Sequence, residues 1–238
     1  MIPLGRRLRH PNEDNPWVKG KTMPELVRLP LRAADGRPLA HKFFRHPEKA
    51  KGLLVTFPGN LYGPDGALLH YPSAFLGQEG WDTLALTYSF QREMSGAGPE
   101  AIAAAMEESA AAVRAALERR SYARIVLIGK SLGCAIVAQL CVSDPALASA
   151  HSAYLTPMLG TSLFDSLFIQ TAQPAYLALG TADRFHDPSA LEALRATRTF
   201  SLTLIESADH SLIVAGDLAA SVAALERVTR EVIAFLTS

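Results

Sequence analysis

The stretch 124–138 places a serine between a predicted strand and a predicted helix. Residues 125–128 are consecutive aliphatic side chains, which is typical of a strand buried on both faces, and the Ala-rich run after Gly133 favours a helix. Between them the sequence reads Gly-Lys-Ser-Leu-Gly, which fits the pattern G-x-S-x-G. Glycines on both sides of a serine let a strand and a helix close tightly around it. We therefore predict that Ser131 lies at the carboxyl end of a sheet and the amino end of a helix.

Two other interpretations of the same residues have to be considered. A phosphate-binding P-loop requires a further glycine five residues before Gly129, and Arg124 occupies that position. The P-loop is therefore excluded. A serine that falls by chance in a tight turn is the remaining alternative, and the flanking strand and helix patterns argue against it.

Strands and helices alternate along most of the chain, which predicts an α/β fold with a doubly wound, mostly parallel sheet and a minimal cap. A hairpin turn around Asp35-Gly36 predicts that the sheet begins with an antiparallel pair of strands. The predicted strands cover 25–31, 38–44, 52–57, 82–88, 125–128, 152–155, 174–179 and 200–205, and the predicted helices cover 67–78, 99–119, 189–196 and 218–236. We expect residues 1–22 to form an N-terminal arm and residues 23–238 a single domain.

Composition excludes several classes of function. The chain has 238 residues, 49% of them hydrophobic, which suits one large domain. Its 23 basic and 23 acidic residues balance, so nucleic acid is not expected as a partner. No apolar run is long enough for a membrane span, and the basic first ten residues lack the apolar core of a signal peptide, so we expect a cytoplasmic protein. Cys134 and Cys141 are too far apart on one helix for a disulfide and are predicted to be core residues.

Two further residues follow late strands of the predicted sheet. A serine hydroxyl is a weak nucleophile at neutral pH and needs a histidine as base and an acid that orients the imidazole. Asp183 follows the strand 174–179, and His210 follows the strand 200–205. The chain order Ser131, Asp183, His210, each at a strand end, is the order found in doubly wound hydrolases.

Alternatives exist for both of these positions. His186, Asp187 and Asp209 lie nearby in the sequence and compete for the same roles. Taken singly, Asp183 could be a turn or helix cap and His210 a histidine in a surface loop. The histidine spacing does not suggest a metal site, so we expect neither a metal nor a cofactor.

An anion that forms during acyl transfer needs two preorganised hydrogen-bond donors. We predict the backbone amide of Leu132, directly after the serine, as one of them. The loop after the first parallel strand contains Pro58-Gly59-Asn60-Leu61 and would supply the second, with the amide of Asn60 preferred and that of Leu61 as the alternative. Without the serine motif, this loop would be read as an ordinary Pro-Gly turn.

Together these motifs resemble the α/β-hydrolase superfamily from about residue 25 to 236, and in particular small, nearly capless bacterial members. The matching segments are Phe57-Pro58-Gly59-Asn60, Gly129-Lys130-Ser131-Leu132-Gly133, Gly180-Thr181-Ala182-Asp183 and Ala208-Asp209-His210-Ser211-Leu212. The resemblance implies a triad of Ser131, Asp183 and His210 and hydrolysis of an ester, thioester or related acyl bond. The family usually has His-Gly where this chain has Pro58-Gly59, which affects only the identity of the second donor.

Specificity is less constrained by the sequence. The connection 156–173 is short and apolar, so any lid is small, and we expect a pocket for a small-molecule acyl substrate lined by Leu61, Tyr62, Tyr88, Leu163, Phe168 and Phe185. The alternatives are that these side chains cover the sheet edge or form a dimer interface, and the chain is expected to be a monomer or a homodimer. A non-catalytic binding protein of the same fold, a peptidase and an acyltransferase remain open as alternatives to an esterase or thioesterase.

Overall fold

A mixed sheet forms the centre of the computed structural model, which describes residues 24–93 and 98–238. Its strands in this part of the chain are β1 (Glu25–Val27), β2 (Lys42–Arg45), β3 (Leu53–Phe57), β4 (Asp82–Ala85), β5 (Ile125–Lys130), β6 (His151–Leu155), β7 (Ala175–Gly180) and β8 (Ser201–Ile205). They are ordered β1-β2-β4-β3-β5-β6-β7-β8. The pairs β1–β2 and β2–β4 are antiparallel, and the pairs from β4 to β8 are parallel.

Helices cover both faces of the sheet. They are α1 (Ala67–Gln78), α2 (Pro99–Arg119), α3 (Leu132–Ser143), α4 (Ser162–Phe168), α5 (Pro188–Thr197) and α6 (Leu218–Thr237). One apolar cluster joins the sheet to α2, α3, α4 and α5, and a second joins the opposite face to α1 and α6. The central strands β3 and β7 are buried along their whole length, as expected for a parallel sheet whose crossover helices cover both faces.

The α/β fold with an antiparallel N-terminal strand pair is confirmed, although the two strands are shorter than predicted. β1 ends at Val27 and β2 begins at Lys42, and between them a single bridge joins Arg32 and Pro38. Pro30 and Pro38 have no N–H to give to a ladder, so continuous pairing stops there. The turn itself lies at the predicted position, with Gly36 at φ +80°.

The predicted strand 82–88 is also shorter, because β4 ends at Ala85. A short 3-10 helix, Ser89–Glu93, follows it. The predicted N-terminal arm, residues 1–22, lies outside the described residues. Cys134 and Cys141 are buried free thiols, as predicted.

The connection between β6 and β7 contains α4, whose two turns pack against α3. Phe164 and Phe168 of α4 are fully buried. Within residues 24–93 and 98–238, this connection adds no separate cap layer over the carboxyl end of the sheet. In the same residues, no helix combines the length and apolar character that a membrane crossing requires.

Candidate active site

Ser131 lies in the tight turn from β5 to α3, as the sequence predicts. Its backbone has φ 53° and ψ −114°, a conformation that residues other than glycine rarely adopt. The Ser131 amide donates a 3.0 Å hydrogen bond to the carbonyl of Leu155 in the adjacent β6, which holds the turn in place. Such strain persists only where surrounding structure enforces it, and it is common at functional sites.

The two glycines of the motif explain how strand and helix approach each other so closely. A Cβ atom on Gly129 would lie 2.6 Å from the carbonyl oxygen of Gly133. A Cβ atom on Gly133 would lie 2.1 Å from the carbonyl oxygen of Phe57 in β3. Any side chain at either position would therefore push α3 away from the sheet and move Ser131.

Two other side chains form a hydrogen-bonded series with this serine. The Ser131 hydroxyl lies 2.8 Å from Nε2 of His210, and Nδ1 of His210 lies 2.8 Å from Oδ2 of Asp183. An ionised carboxylate can only accept hydrogen bonds, so Nδ1 carries the imidazole proton and Nε2 is left to accept from the hydroxyl. In this arrangement the imidazole can take the serine proton without moving.

The loops after β7 and β8, which carry Asp183 and His210, are joined by hydrogen bonds. The Ala182 amide donates to the carbonyl of Ala208 at 3.0 Å, and the Ser207 amide donates to the Thr181 hydroxyl at 2.8 Å. Because β7 and β8 are parallel neighbours, both loops begin at the same edge of the sheet. The acid and the imidazole are thus positioned by main-chain contacts between the loops.

The charge state of Asp183 is set by opposing effects. Burial raises the pKa of this carboxyl, but hydrogen bonds from His210 and the Phe185 amide, together with the charge of Lys130, outweigh burial. The net result is a pKa below the usual value, so the carboxylate is ionised at neutral pH. An ionised Asp183 can orient the imidazole and stabilise it when it is protonated.

The competing residues have other partners. Oδ1 of Asp187 accepts hydrogen bonds from the Ser189 and Ala190 amides and caps α5. Nδ1 of His186 lies 3.1 Å from the carbonyl of Thr181. A third competitor, Asp209, uses Oδ1 to hold the loop around His210, accepting from the amides of Ser211 and Ile213.

The loop 58–62 lies directly beside the serine. A Cβ atom on Gly59 would lie 3.3 Å from Cβ of Ser131. The Gly59 amide is already used, because it donates to the Tyr62 carbonyl at 2.9 Å. Asn60 and Leu61 follow it in this loop, and Leu132 is the first residue of α3, where amides have no partner within the helix. The predicted donors therefore belong to two segments that meet at Ser131.

Four of the predicted pocket residues retain exposed surface. Leu61 is 73% exposed at the tip of the loop 58–62, while Tyr62, Leu163 and Phe185 are half-buried. The Phe185 ring packs against the His210 imidazole with 5.2 Å between ring centroids. Leu61 and Phe185 are thus placed in the two loops that flank Ser131 and His210.

Tyr88 and Phe168 lie elsewhere. Both are 0% exposed. Phe168 stacks on Phe164 and meets the edge of Tyr154, each at 5.1 Å between centroids. Large aromatic rings gain most by packing between helix and sheet, and this places the two side chains in the core rather than on a surface that a substrate touches.

Two residues at the site were not predicted. Lys130, the second residue of the motif, is only 1% exposed, and its ammonium lies 5.1 Å from the centroid of the Tyr62 ring. The side-chain amide of Gln91 donates to the Gly59 carbonyl at 2.7 Å. A lysine in an otherwise apolar strand was a visible signal for the first, whereas nothing local in the sequence indicated the second. Within the described residues, no three potential ligands are grouped to hold a metal ion.

A strained serine between strand and helix, on a sheet wound mostly in parallel, defines the class of α/β hydrolases. A family model described as "Alpha/beta hydrolase domain" matches residues 60–237. The chain belongs to this alpha/beta hydrolase family. No curated protein matches the sequence.

Solved structures share the fold at low sequence identity. A serine hydrolase from Xanthomonas campestris, described as lacking a lid, is 16% identical, with a TM-score of 0.62 over 89% of this chain and 95% of the other. A dienelactone hydrolase from Anabaena variabilis is 15% identical, with a TM-score of 0.66 over 90% and 99%. An alpha-beta serine hydrolase homologue from Coxiella burnetii is 15% identical, with a TM-score of 0.61 over 87% and 96%.

Proposed function

We propose that this protein is a serine hydrolase that cleaves a carboxylic ester or thioester through an acyl-enzyme on Ser131. The observation that carries the proposal is the series from the Ser131 hydroxyl through His210 to Asp183, with 2.8 Å at each step. A nucleophile within reach of its base, and a base oriented by an acid, is the arrangement needed for nucleophilic catalysis.

In the proposed reaction, Nε2 of His210 takes the proton as Oγ of Ser131 attacks the carbonyl carbon. The amides of Leu132 and Asn60, or of Leu61 in place of Asn60, stabilise the oxyanion. His210 returns its proton to the leaving alkoxide or thiolate, which departs as alcohol or thiol and leaves the acyl group on Ser131. Water then attacks the acyl-enzyme as His210 accepts its proton, the bond between the carbonyl carbon and Oγ of Ser131 breaks, and His210 returns the proton to Oγ as the carboxylic acid leaves.

The surroundings of the serine favour a small acyl substrate in an open site. Leu61 and Phe185 lie on the two loops beside Ser131 and His210, and we assign the half-buried Tyr62 and Leu163 to the same proposed substrate surface. The α4 connection is short and packs on α3, so the proposed site needs no lid to open. Peptidases and acyltransferases use the same triad, and their substrates are the first competitors to test.

Labelling with a fluorophosphonate tests the proposed nucleophile. The wild type should form a covalent adduct on Ser131, identified by mass spectrometry of the labelled peptide. Ser131→Ala should not react and should lose at least about three orders of magnitude in turnover of p-nitrophenyl acetate. An adduct on another residue, or a folded wild type that does not react, would contradict the proposal.

A matched pair of variants tests the acid. Asp183→Asn leaves the imidazole without its carboxylate, so kcat should fall by about 10³- to 10⁴-fold. Asp187→Asn changes a neighbouring carboxylate that caps α5 and should leave kcat within about threefold of wild type. If Asp187→Asn is the damaging variant, the assignment of Asp183 is wrong.

A second matched pair tests the apolar surface. Leu61→Ala should weaken the preference for longer acyl chains in a p-nitrophenyl ester series, because about three methylene-sized groups of contact are removed. Leu26→Ala removes an equally large exposed side chain from the sheet-edge strand β1 and serves as the control. An unchanged chain-length profile in Leu61→Ala would exclude Leu61 from substrate binding.

A further inference from the structure

The side chain of Lys130 is buried beside the proposed nucleophile. It is 1% exposed, although lysine is almost never fully buried unless it is paired with an acid. Within residues 24–93 and 98–238, no carboxylate forms an ion pair with its ammonium. A buried cation is costly, so its presence next to Ser131 requires an explanation.

The ammonium of Lys130 faces an aromatic ring instead of a carboxylate. Nζ lies 5.1 Å from the centroid of the Tyr62 ring, within the range of a cation–π interaction. Tyr62 belongs to the loop 58–62, which would supply the second oxyanion donor. The contact therefore links the residue before the nucleophile to the loop on the other side of the site.

Tyr62 in turn determines the shape of this loop. Its carbonyl accepts the Gly59 amide at 2.9 Å, and its hydroxyl accepts the Leu68 amide, in the first turn of α1, at 2.8 Å. The ring also fills the space beside Gly66, where a Cβ atom would lie 2.2 Å from it. A displaced ring would disturb both the loop and the start of α1.

The charge on Lys130 is maintained at neutral pH. Burial lowers its pKa to about 8, and the nearby Cys134, Asp183 and Asp209 oppose this effect. In return, the Lys130 charge helps to lower the pKa of Asp183. A positive charge is thus held against Tyr62 in the loop 58–62, which would supply one of the proposed oxyanion donors.

We infer that Lys130 is a positioning residue whose buried ammonium, held against the face of Tyr62, fixes the loop 58–62 against Ser131 so that its amide meets the oxyanion. This inference rests on the proposed function. It assigns to the second residue of the G-x-S-x-G motif a role that the motif itself does not specify.

The test compares Lys130→Met, Lys130→Arg and Tyr62→Leu in p-nitrophenyl acetate hydrolysis and in the rate of fluorophosphonate labelling. Lys130→Met and Tyr62→Leu should each lower kcat and the labelling rate about 10- to 30-fold, and KM should change little in Lys130→Met, whose side chain is buried away from the proposed substrate surface. Lys130→Arg keeps a cation that binds aromatic faces and should retain at least about a third of wild-type kcat. The double variant Lys130→Met/Tyr62→Leu should be no worse than Tyr62→Leu alone, because the contact with Lys130 is already lost in that single variant.

Two further measurements separate positioning from general structural damage. Lys51→Met, which removes an exposed lysine paired with Glu79, should leave both rates unchanged. The Lys130 ammonium faces the Tyr62 ring, and the other titratable groups that influence it are Cys134, Asp183 and Asp209. Wild-type kcat should fall above about pH 8 as the ammonium loses its proton, and Lys130→Arg should lack this fall up to pH about 9.5.

The outcomes are distinguishable from those of the proposed function. If the wild type is labelled on Ser131 but Lys130→Met is labelled equally fast, the inference about Lys130 is wrong and the serine nucleophile stands. Additive losses in the double variant would also overturn it, since the two residues would then act separately. If Lys130→Met fails to fold, the Tyr62→Leu and Lys130→Arg results decide on the same criteria.

Discussion

The strained backbone of Ser131 leads to a prediction about stability that needs no substrate. Ser131→Ala and Ser131→Gly both remove the hydroxyl and its hydrogen bond to His210. Only glycine adopts φ 53° and ψ −114° without a steric penalty, because it has no Cβ atom. The two variants therefore differ mainly in whether the strain of the turn is kept.

The magnitude follows from two opposing contributions. A residue held in a sparsely populated backbone region costs about 1–3 kcal/mol, and glycine relieves this cost. Glycine also loses more backbone freedom on folding, which costs about 0.5–1 kcal/mol relative to alanine. Ser131→Gly should accordingly be about 1–2 kcal/mol more stable than Ser131→Ala, equivalent to about 5 °C in Tm for a chain of this size.

Urea unfolding followed by circular dichroism, with calorimetry for Tm, measures this difference. Both variants should be inactive and unlabelled by fluorophosphonate, so stability is compared without a difference in function. An alanine variant that equals or exceeds the glycine variant in stability would show that the turn is not strained. The reasoning from φ and ψ to stored energy would then be refuted.

Three further perturbations have defined outcomes. Lys130→Met should unfold at higher urea concentration than wild type at pH 7, because a pKa of about 8 instead of 10.5 corresponds to about 3 kcal/mol of cost for the buried charge. The wild-type free energy of unfolding should approach that of Lys130→Met as pH rises from 8 to 10.5, because in this window the unfolded chain still holds the lysine proton that the folded chain has lost. A difference in unfolding free energy that stays constant with pH would contradict this. Gly133→Ala should lower both stability, by at least about 2 kcal/mol, and kcat, because its Cβ atom would lie 2.1 Å from the Phe57 carbonyl; normal kcat would show that α3 can move without cost. Asp187→Ala should cost about 1 kcal/mol in urea unfolding through loss of the α5 cap while leaving kcat near wild type; an unchanged midpoint would exclude the cap.

Local patterns were sufficient to predict most of the architecture. The helices 67–78 and 99–119 were predicted with the bounds that α1 and α2 have, because apolar periodicity and the proline at position 99 are properties of neighbouring residues. The alternation of strands and helices predicted the sheet, since parallel strands require crossover connections. The hairpin strands were overestimated, because their prolines interrupt pairing without changing the apolar pattern.

The sequence by itself determined which residues stand at strand ends, and Ser131, Asp183 and His210 are such residues. Tertiary structure decided that Asp183 rather than Asp187 contacts His210, that Tyr88 and Phe168 are in the core, and that the Lys130 ammonium faces Tyr62. The physical reason is that strand ends follow from short-range periodicity, whereas the direction and burial of a side chain depend on segments far away in the chain that pack against it.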